Sequence, residues 1–192
     1  MDAKNNFFNR HTIRLQNYDY SREGLYFITI CTYNRMELFG KIENGKMELN
    51  RFGKIVDKYW NEIPKHYPDV ELLEYVIMPN HFHGILWFTK YIGDNTNNIV
   101  GAIHELPLQE LSLQLQHRNN RRKMALPKII GRFKMQSAKE INLLQKTSGQ
   151  PVWQRNYFEH IIRNENFYIK IAEYIINNPL KWEEDKYYVE GT

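Results

Sequence analysis

One cysteine, Cys31, occurs among the 192 residues. No intrachain disulfide and no cluster of thiolate metal ligands can form from it, and such scarcity suits a reducing compartment, with the cytosol as the expectation. Long apolar runs are missing as well. None approaches the roughly 20 residues of a membrane helix, so no membrane association is expected. The opening MDAKNNFFNRH lacks the charged-then-apolar order of a signal peptide, which points to an unexported protein. Acidic residues are absent from one stretch in particular. Arg118 to Lys139 holds eight Lys/Arg and no Asp or Glu. Without those eight of its 26 basic residues the chain has 18 against 22 acidic ones. A basic block on a slightly acidic remainder suggests an anionic partner, nucleic acid being the commonest polyanion, although a solvated charge run explains the composition equally well.

The length suits a single domain spanning residues 1–192. Leu25 to Tyr33 (LYFITICTY) is aromatic and β-branched, as a buried strand should be. Glu43-Asn44-Gly45-Lys46 between two short apolar pieces predicts a hairpin over Met36 to Leu49. Phe52, Ile55, Val56, Tyr59, Trp60 and Ile63 follow helical spacing, and Pro64 is expected to stop that helix. Val70 to Met78 and His81 to Thr89 read as strands joined tightly at Pro79-Asn80. Periodicity is lost from Lys90 to Ala125, which predicts a loop insertion at about residues 90–126. Beyond it, Ile130, Phe133, Ser137, Ile141 and Leu144 form the inward face of a helix that places Pro127 in its first turn. Lys128, Arg132 and Lys139 lie within about 40° of one another on its outward face at 100° per residue. Trp153 to Arg163 reads as a strand, and Asn164 caps a last helix with Phe167, Ile171, Tyr174 and Ile175 inward, ended by Pro179. This order predicts an α+β fold, a ferredoxin-like antiparallel sheet with helices.

The sequence YVIMPNHFHGILWF (Tyr75 to Phe88) sets two histidines in an otherwise apolar strand. Strand side chains at i and i+2 share a face about 6.5 to 7 Å apart, so His81 and His83 can converge on one metal ion. Two buried histidines bonded to backbone are the competing explanation. A further donor is available on the last helix, where Tyr174 and Asn178 stand at i and i+4. On spacing alone Tyr174 is not preferred over Tyr157 or Tyr168.

The run MPNHFHGIL, taken with WQRNYFEHIIRNENFYIKIAEYIINNPLKW, resembles the HUH single-tyrosine transposases, and among them the REP-associated tyrosine transposases of the IS200-like family, from about Arg10 through Trp182. The resemblance implies a DNA transposase and endonuclease of bacterial cytoplasm, nucleoid-associated when bound. His81 and His83 would hold a divalent metal, Asn178 would complete its shell, and Tyr174 would be the nucleophile. Mg²⁺ or Mn²⁺ suits two imidazoles and an amide oxygen, the nitrogen ligands favouring Mn²⁺. Single-stranded or hairpin DNA at REP-like sites would be cleaved and rejoined through a 5′-phosphotyrosine by a monomer or homodimer. Lys128, Arg132, Lys139, Arg121, Arg122 and Arg155 are the expected DNA contacts. Two other readings compete: a DNA-hairpin binder without catalysis, and a metal-dependent phosphoesterase that uses water.

Overall fold

The computed structural model describes residues 18–92 and 124–188. The expected insertion therefore lies almost wholly outside the described residues, as do Arg121 and Arg122.

Strand β1 (Gly24–Cys31) is followed by a short turn of 3-10 helix, Tyr33–Arg35, and then by the hairpin β2 (Gly40–Glu43) and β3 (Lys46–Leu49). Asn44 and Gly45 form its two-residue turn with φ of 52° and 70°, the doubly left-handed conformation that Asn-Gly adopts readily. Helix α1 (Arg51–Asn61) starts where the Asn50 side chain accepts from the amides of Phe52 and Gly53 at 2.8 and 3.1 Å. Pro64 does more than stop it: it stands in the first turn of a four-residue helix, α2 (Ile63–His66), where a missing amide hydrogen costs nothing.

β4 (Val70–Ile77) and β5 (His81–Phe88) follow as an antiparallel pair, closed at the Met78 amide and His81 carbonyl, 2.8 Å apart. Then come α3 (Ala125–Gln145), β6 (Phe158–Ile162) and α4 (Glu165–Asn177), and a 3-10 turn over Pro179–Glu184 closes the described chain. The main sheet runs β4-β5-β1-β6 with every neighbour antiparallel. That is the strand order of a ferredoxin-like fold, the β2–β3 hairpin being an addition before α1.

Alternation along β5 divides its side chains between two cores. Phe82, Leu86 and Phe88 join Trp60 of α1 and Ile129 and Phe133 of α3 in the larger core. His81, His83 and Ile85 face the other way, toward α4, where Phe27, Ile85, Ile162 and Ile175 form a smaller core. Gly84 makes the larger core possible, since a Cβ there would stand 2.7 Å from Cζ2 of Trp60.

Three expectations need correction. Only Phe158–Ile162 of the Trp153–Arg163 stretch is strand; Trp153 makes a single bridge to Thr32. The residues between are tied elsewhere, because the Gln154 amide donates to the Cys31 carbonyl and Lys134 Nζ donates to the carbonyls of Gln154 and Arg155. Leu144 and Phe167, expected inward, are exposed. Helical period locates an apolar face but not how far the opposing surface extends.

Candidate active site

His81 and His83 stand at the start of β5, one of the two central strands, and both are fully buried. Each imidazole is oriented by a neighbour. The Asn80 side-chain NH₂ donates to the Tyr187 carbonyl at 2.8 Å, which fixes that amide and turns Oδ1 toward His81 Nδ1, 2.9 Å away. An amide oxygen only accepts, so Nδ1 of His81 carries the hydrogen and Nε2 keeps its lone pair. Nε2 is buried and has no hydrogen-bond partner. His83 lies opposite Thr29 in the β1–β5 ladder, and Nδ1 meets Thr29 Oγ1 at 2.7 Å.

α4 and the turn after it supply the rest. Tyr174 lies on the α4 face toward β5, and its hydroxyl is 3.1 Å from His83 Nε2 and 3.2 Å from Asp185 Oδ2. Tyr174 is still 39 % exposed, and an open cleft of about 350 Å³ lined also by Asn178, Asp185 and Lys181 adjoins it. The other tyrosines are placed differently. Tyr168 gives its hydroxyl to the Glu74 carboxylate at 2.9 and 3.0 Å, and Tyr157 packs against the larger core.

Asn178 is buried at the helix end, donates to Asp185 Oδ2 at 2.8 Å, and leaves its own Oδ1 without a partner. Asp185 was not among the expected ligands. Its carboxylate and the two imidazoles each present an atom within 4.8 Å of the others. Seven positions past Asn178 and beyond Pro179, it is out of reach of a helical-spacing argument; an acidic residue following the tyrosine helix was its only mark in the sequence.

Burial holds the His81 imidazolium down to about pKa 4, the Asp185 charge pushing back, and drives His83 well below the ordinary range, His81 adding to the effect. Both rings are therefore neutral at pH 7 and able to ligate. Burial also raises the Tyr174 phenol, and the Asp185 carboxylate raises it further. Two buried orphan atoms, His81 Nε2 and Asn178 Oδ1, beside a carboxylate and a second imidazole form a donor set that fits a divalent cation.

A stability prediction follows from the histidines. The unfolded chain takes up protons near pH 6.5 and folded His81 only near 4, so metal-free protein loses stability as pH falls across that window, by on the order of 3 kcal/mol. His83 acts in the same direction. Urea midpoints in EDTA should drop from pH 7.5 to pH 4.5 in the wild type and much less in a His81→Gln/His83→Gln variant. Equal drops in both would refute the assignment.

The basic residues are elsewhere. Lys128, Arg132 and Lys139 ride on α3, which packs on the face of the sheet opposite the histidines, and Arg132 Nη2 lies 3.2 Å from His66 Nε2 there. Arg155 is exposed on the connection that passes the end of β1, where Cys31 faces His81.

No family model matches the chain. An uncharacterised protein of Haemophilus influenzae is 43 % identical over 182 residues, 94 % of each chain. A putative REP-associated tyrosine transposase of the same species is 24 % identical over 163 residues, 85 % of this chain and 74 % of that one. The solved structure of a REP-associated tyrosine transposase bound to a REP hairpin superposes with a TM-score of 0.54 at 18 % identity, covering 91 % of this chain and 77 % of its own. The chain is similar in sequence to a REP-associated tyrosine transposase and shares the fold of a solved one. Within that fold, both histidines of the H-x-H pair, the helix tyrosine and the asparagine four positions later meet at one end of the sheet, joined by Asp185. Among the described residues no helix is long and apolar enough to cross a membrane.

Proposed function

We propose that this protein is a metal-dependent single-stranded DNA transposase and endonuclease that cuts and rejoins DNA at hairpin-associated, REP-like sites through a 5′-phosphotyrosine. The observation that carries the reading is the Tyr174 hydroxyl 3.1 Å from His83 Nε2, at the mouth of a pocket with two orphan buried donor atoms.

His81, His83 and Asp185, with Asn178 Oδ1, are the residues that would hold Mg²⁺ or Mn²⁺. When bound, the ion supplies Lewis-acid polarisation of the scissile phosphate and offsets the burial that keeps the Tyr174 phenol protonated. Asn80 and Thr29 orient the imidazoles through their Nδ1 atoms, the outer-shell arrangement that fixes a ligand's tautomer. The Tyr174 hydroxyl donates to Asp185 Oδ2 at 3.2 Å, so that carboxylate is the group placed to take its proton, while His83 Nε2 would be given to the ion. Tyr174 Oη forms the bond to phosphorus and gives its proton to Asp185, the bond from phosphorus to the 3′ oxygen breaks, and that oxygen takes up one proton, returned from Asp185, to become a free 3′-hydroxyl. The phosphodiester energy is kept in the tyrosine ester, so rejoining by attack of a 3′-hydroxyl needs no nucleotide cofactor.

A gel assay with end-labelled hairpin DNA separates the readings. A covalent protein–DNA band supports transesterification, cleavage without one supports a water nucleophile, and binding without cleavage under either metal leaves a hairpin binder.

The α3 stripe is assigned to affinity, because it lies across the sheet from the chemistry. Neutralising Lys128, Arg132 and Lys139 should lower the log–log salt slope of DNA binding by up to about 2, at about 0.7 per single-strand phosphate contact. Adduct formation at saturating DNA should stay near the wild-type rate. An unchanged slope in the triple variant would make the stripe solvated surface.

A further inference from the structure

Two cations at the catalytic end of the sheet belong to none of the groups assigned so far. Lys186 Nζ lies 4.8 Å from the centre of the Tyr187 ring and Arg35 Cζ lies 5.5 Å from it. Tyr187 in turn packs on both motif histidines, with ring centres 4.6 Å from His81 and 5.9 Å from His83. Two like charges thus share one aromatic ring that backs the metal-ligand pair. Neither forms an ion pair among the described residues, where the ion pairs are Lys41–Glu43, Lys58–Glu140 and Lys90–Asp69. In the cleft on the other side of Tyr174, by contrast, Lys170 and Lys181 are interspersed with Glu173 and Glu184.

The backbone holds the pair together. Asn34 and Arg35 are both left-handed, with φ of 53° and 55°, a conformation that Asn tolerates and that a long cation has no intrinsic reason to occupy. It is maintained by the Arg35 amide donating to the Thr32 carbonyl at 3.1 Å, and Arg35 Nη1 reaches across 151 positions to the Lys186 carbonyl at 3.4 Å. The chain therefore brings together two distant segments, each with a cation outside any ion pair among the described residues, beside the pocket that also holds the Asp185 carboxylate. Both cations also act on the site's electrostatics, each disfavouring a charged His81.

We infer that Arg35 and Lys186 form a clamp for the phosphate backbone of the single-stranded DNA, placing a phosphate against the pocket edge from which Tyr174 is reached; this rests on the transesterification reading. An unpaired cation pair beside a site for phosphodiester chemistry is completed by a phosphate, Arg offering a planar fork and Lys a point charge. They are positioning residues: each acts on where the strand lies and neither contacts Tyr174. The clamp is separate from the α3 stripe, which lies across the sheet.

The test uses full-length protein carrying Tyr174→Phe, in EDTA, with a hairpin-free oligothymidylate as probe. Arg35→Asn retains a residue that tolerates the left-handed backbone and removes the charge. Combined with Lys186→Gln it should lower the salt slope by about 1.4, at about 0.7 per contact. Arg35→Lys should restore most of its share, and Lys54→Gln on the far helix α1 should change nothing. With Tyr174 intact and Mn²⁺ present, the Arg35→Asn/Lys186→Gln variant should raise KM for strand cleavage about tenfold with kcat within threefold. A role in folding alone would lower the melting temperature without touching the salt slope. Should the double variant not fold, Lys186→Gln alone, with an expected slope change of about 0.7, decides the matter. An unmoved slope and KM, with wild-type protein still forming its adduct, would overturn the clamp. Absence of any adduct from wild-type protein would instead sink the transesterification reading, while the binding measurements still judge the clamp.

Discussion

Tyr174→Phe is expected to eliminate the covalent protein–DNA adduct while folding and hairpin binding stay near wild type. The substitution removes one oxygen from a side chain that is partly exposed, so no cavity opens in the core. What it deletes is the contact to His83 Nε2 at 3.1 Å and to Asp185 Oδ2 at 3.2 Å. A loss of at least about 10⁴ in the rate of strand cleavage corresponds to roughly 5.5 kcal/mol of activation free energy, the scale of a removed nucleophile. Tyr168→Phe breaks the bonds to Glu74 and costs about 1 kcal/mol of stability, yet should leave the adduct in place. Tyr157→Phe should leave it too. Peptide mass spectrometry after incubating protein, Mn²⁺ and hairpin DNA makes the assignment: a nucleotide remnant on any other tyrosine would refute the choice of Tyr174.

The second large effect is expected from the metal ligands. Wild-type protein should melt at a higher temperature in Mn²⁺ than in EDTA, because a ligand bound only by the folded state stabilises it by mass action. His81→Ala/His83→Ala should abolish both that increment and metal-dependent cleavage. Folding should survive at lower stability, since both rings are fully buried and His83 stacks on Phe27 of the smaller core, while the larger core is untouched. Asp185→Asn should behave similarly, for it removes the one carboxylate within reach of both imidazoles among the described residues. Asn80→Ala is the graded case. It frees the His81 tautomer and should weaken metal binding by about 10- to 100-fold, the range for outer-shell partners. Undiminished Mn²⁺-dependent cleavage by the double histidine variant would remove the metal site.

Local pattern was enough for the elements on which the site is built. The Asn-Gly turn, the helix beginning at Asn50, the Pro79-Asn80 connection and the cap at Asn164 each depend on neighbours within a few positions, so they are legible in one dimension. The same holds for H-x-H, because a strand's period of two puts His81 and His83 on one face whatever lies around them. The choice among three tyrosines was not legible. It depends on where α4 crosses the sheet, which brings Tyr174 to His83 and sends the Tyr168 hydroxyl to Glu74.

The sequence by itself determined the strand and helix order, the facing histidine pair and the concentration of positive charge ahead of and along α3. Tertiary structure alone decided that α3 packs on the far side of the sheet from the histidines, so that the basic stripe and the histidine pocket are separate surfaces. It also decided that Asp185, Asn80 and Thr29 complete the site, and that Arg35 and Lys186 flank it from segments 151 positions apart. The physical reason is one of range: propensity and periodicity act over a few residues, whereas strand register and the direction in which a chain leaves a helix at Pro179 are fixed by packing between segments distant in sequence.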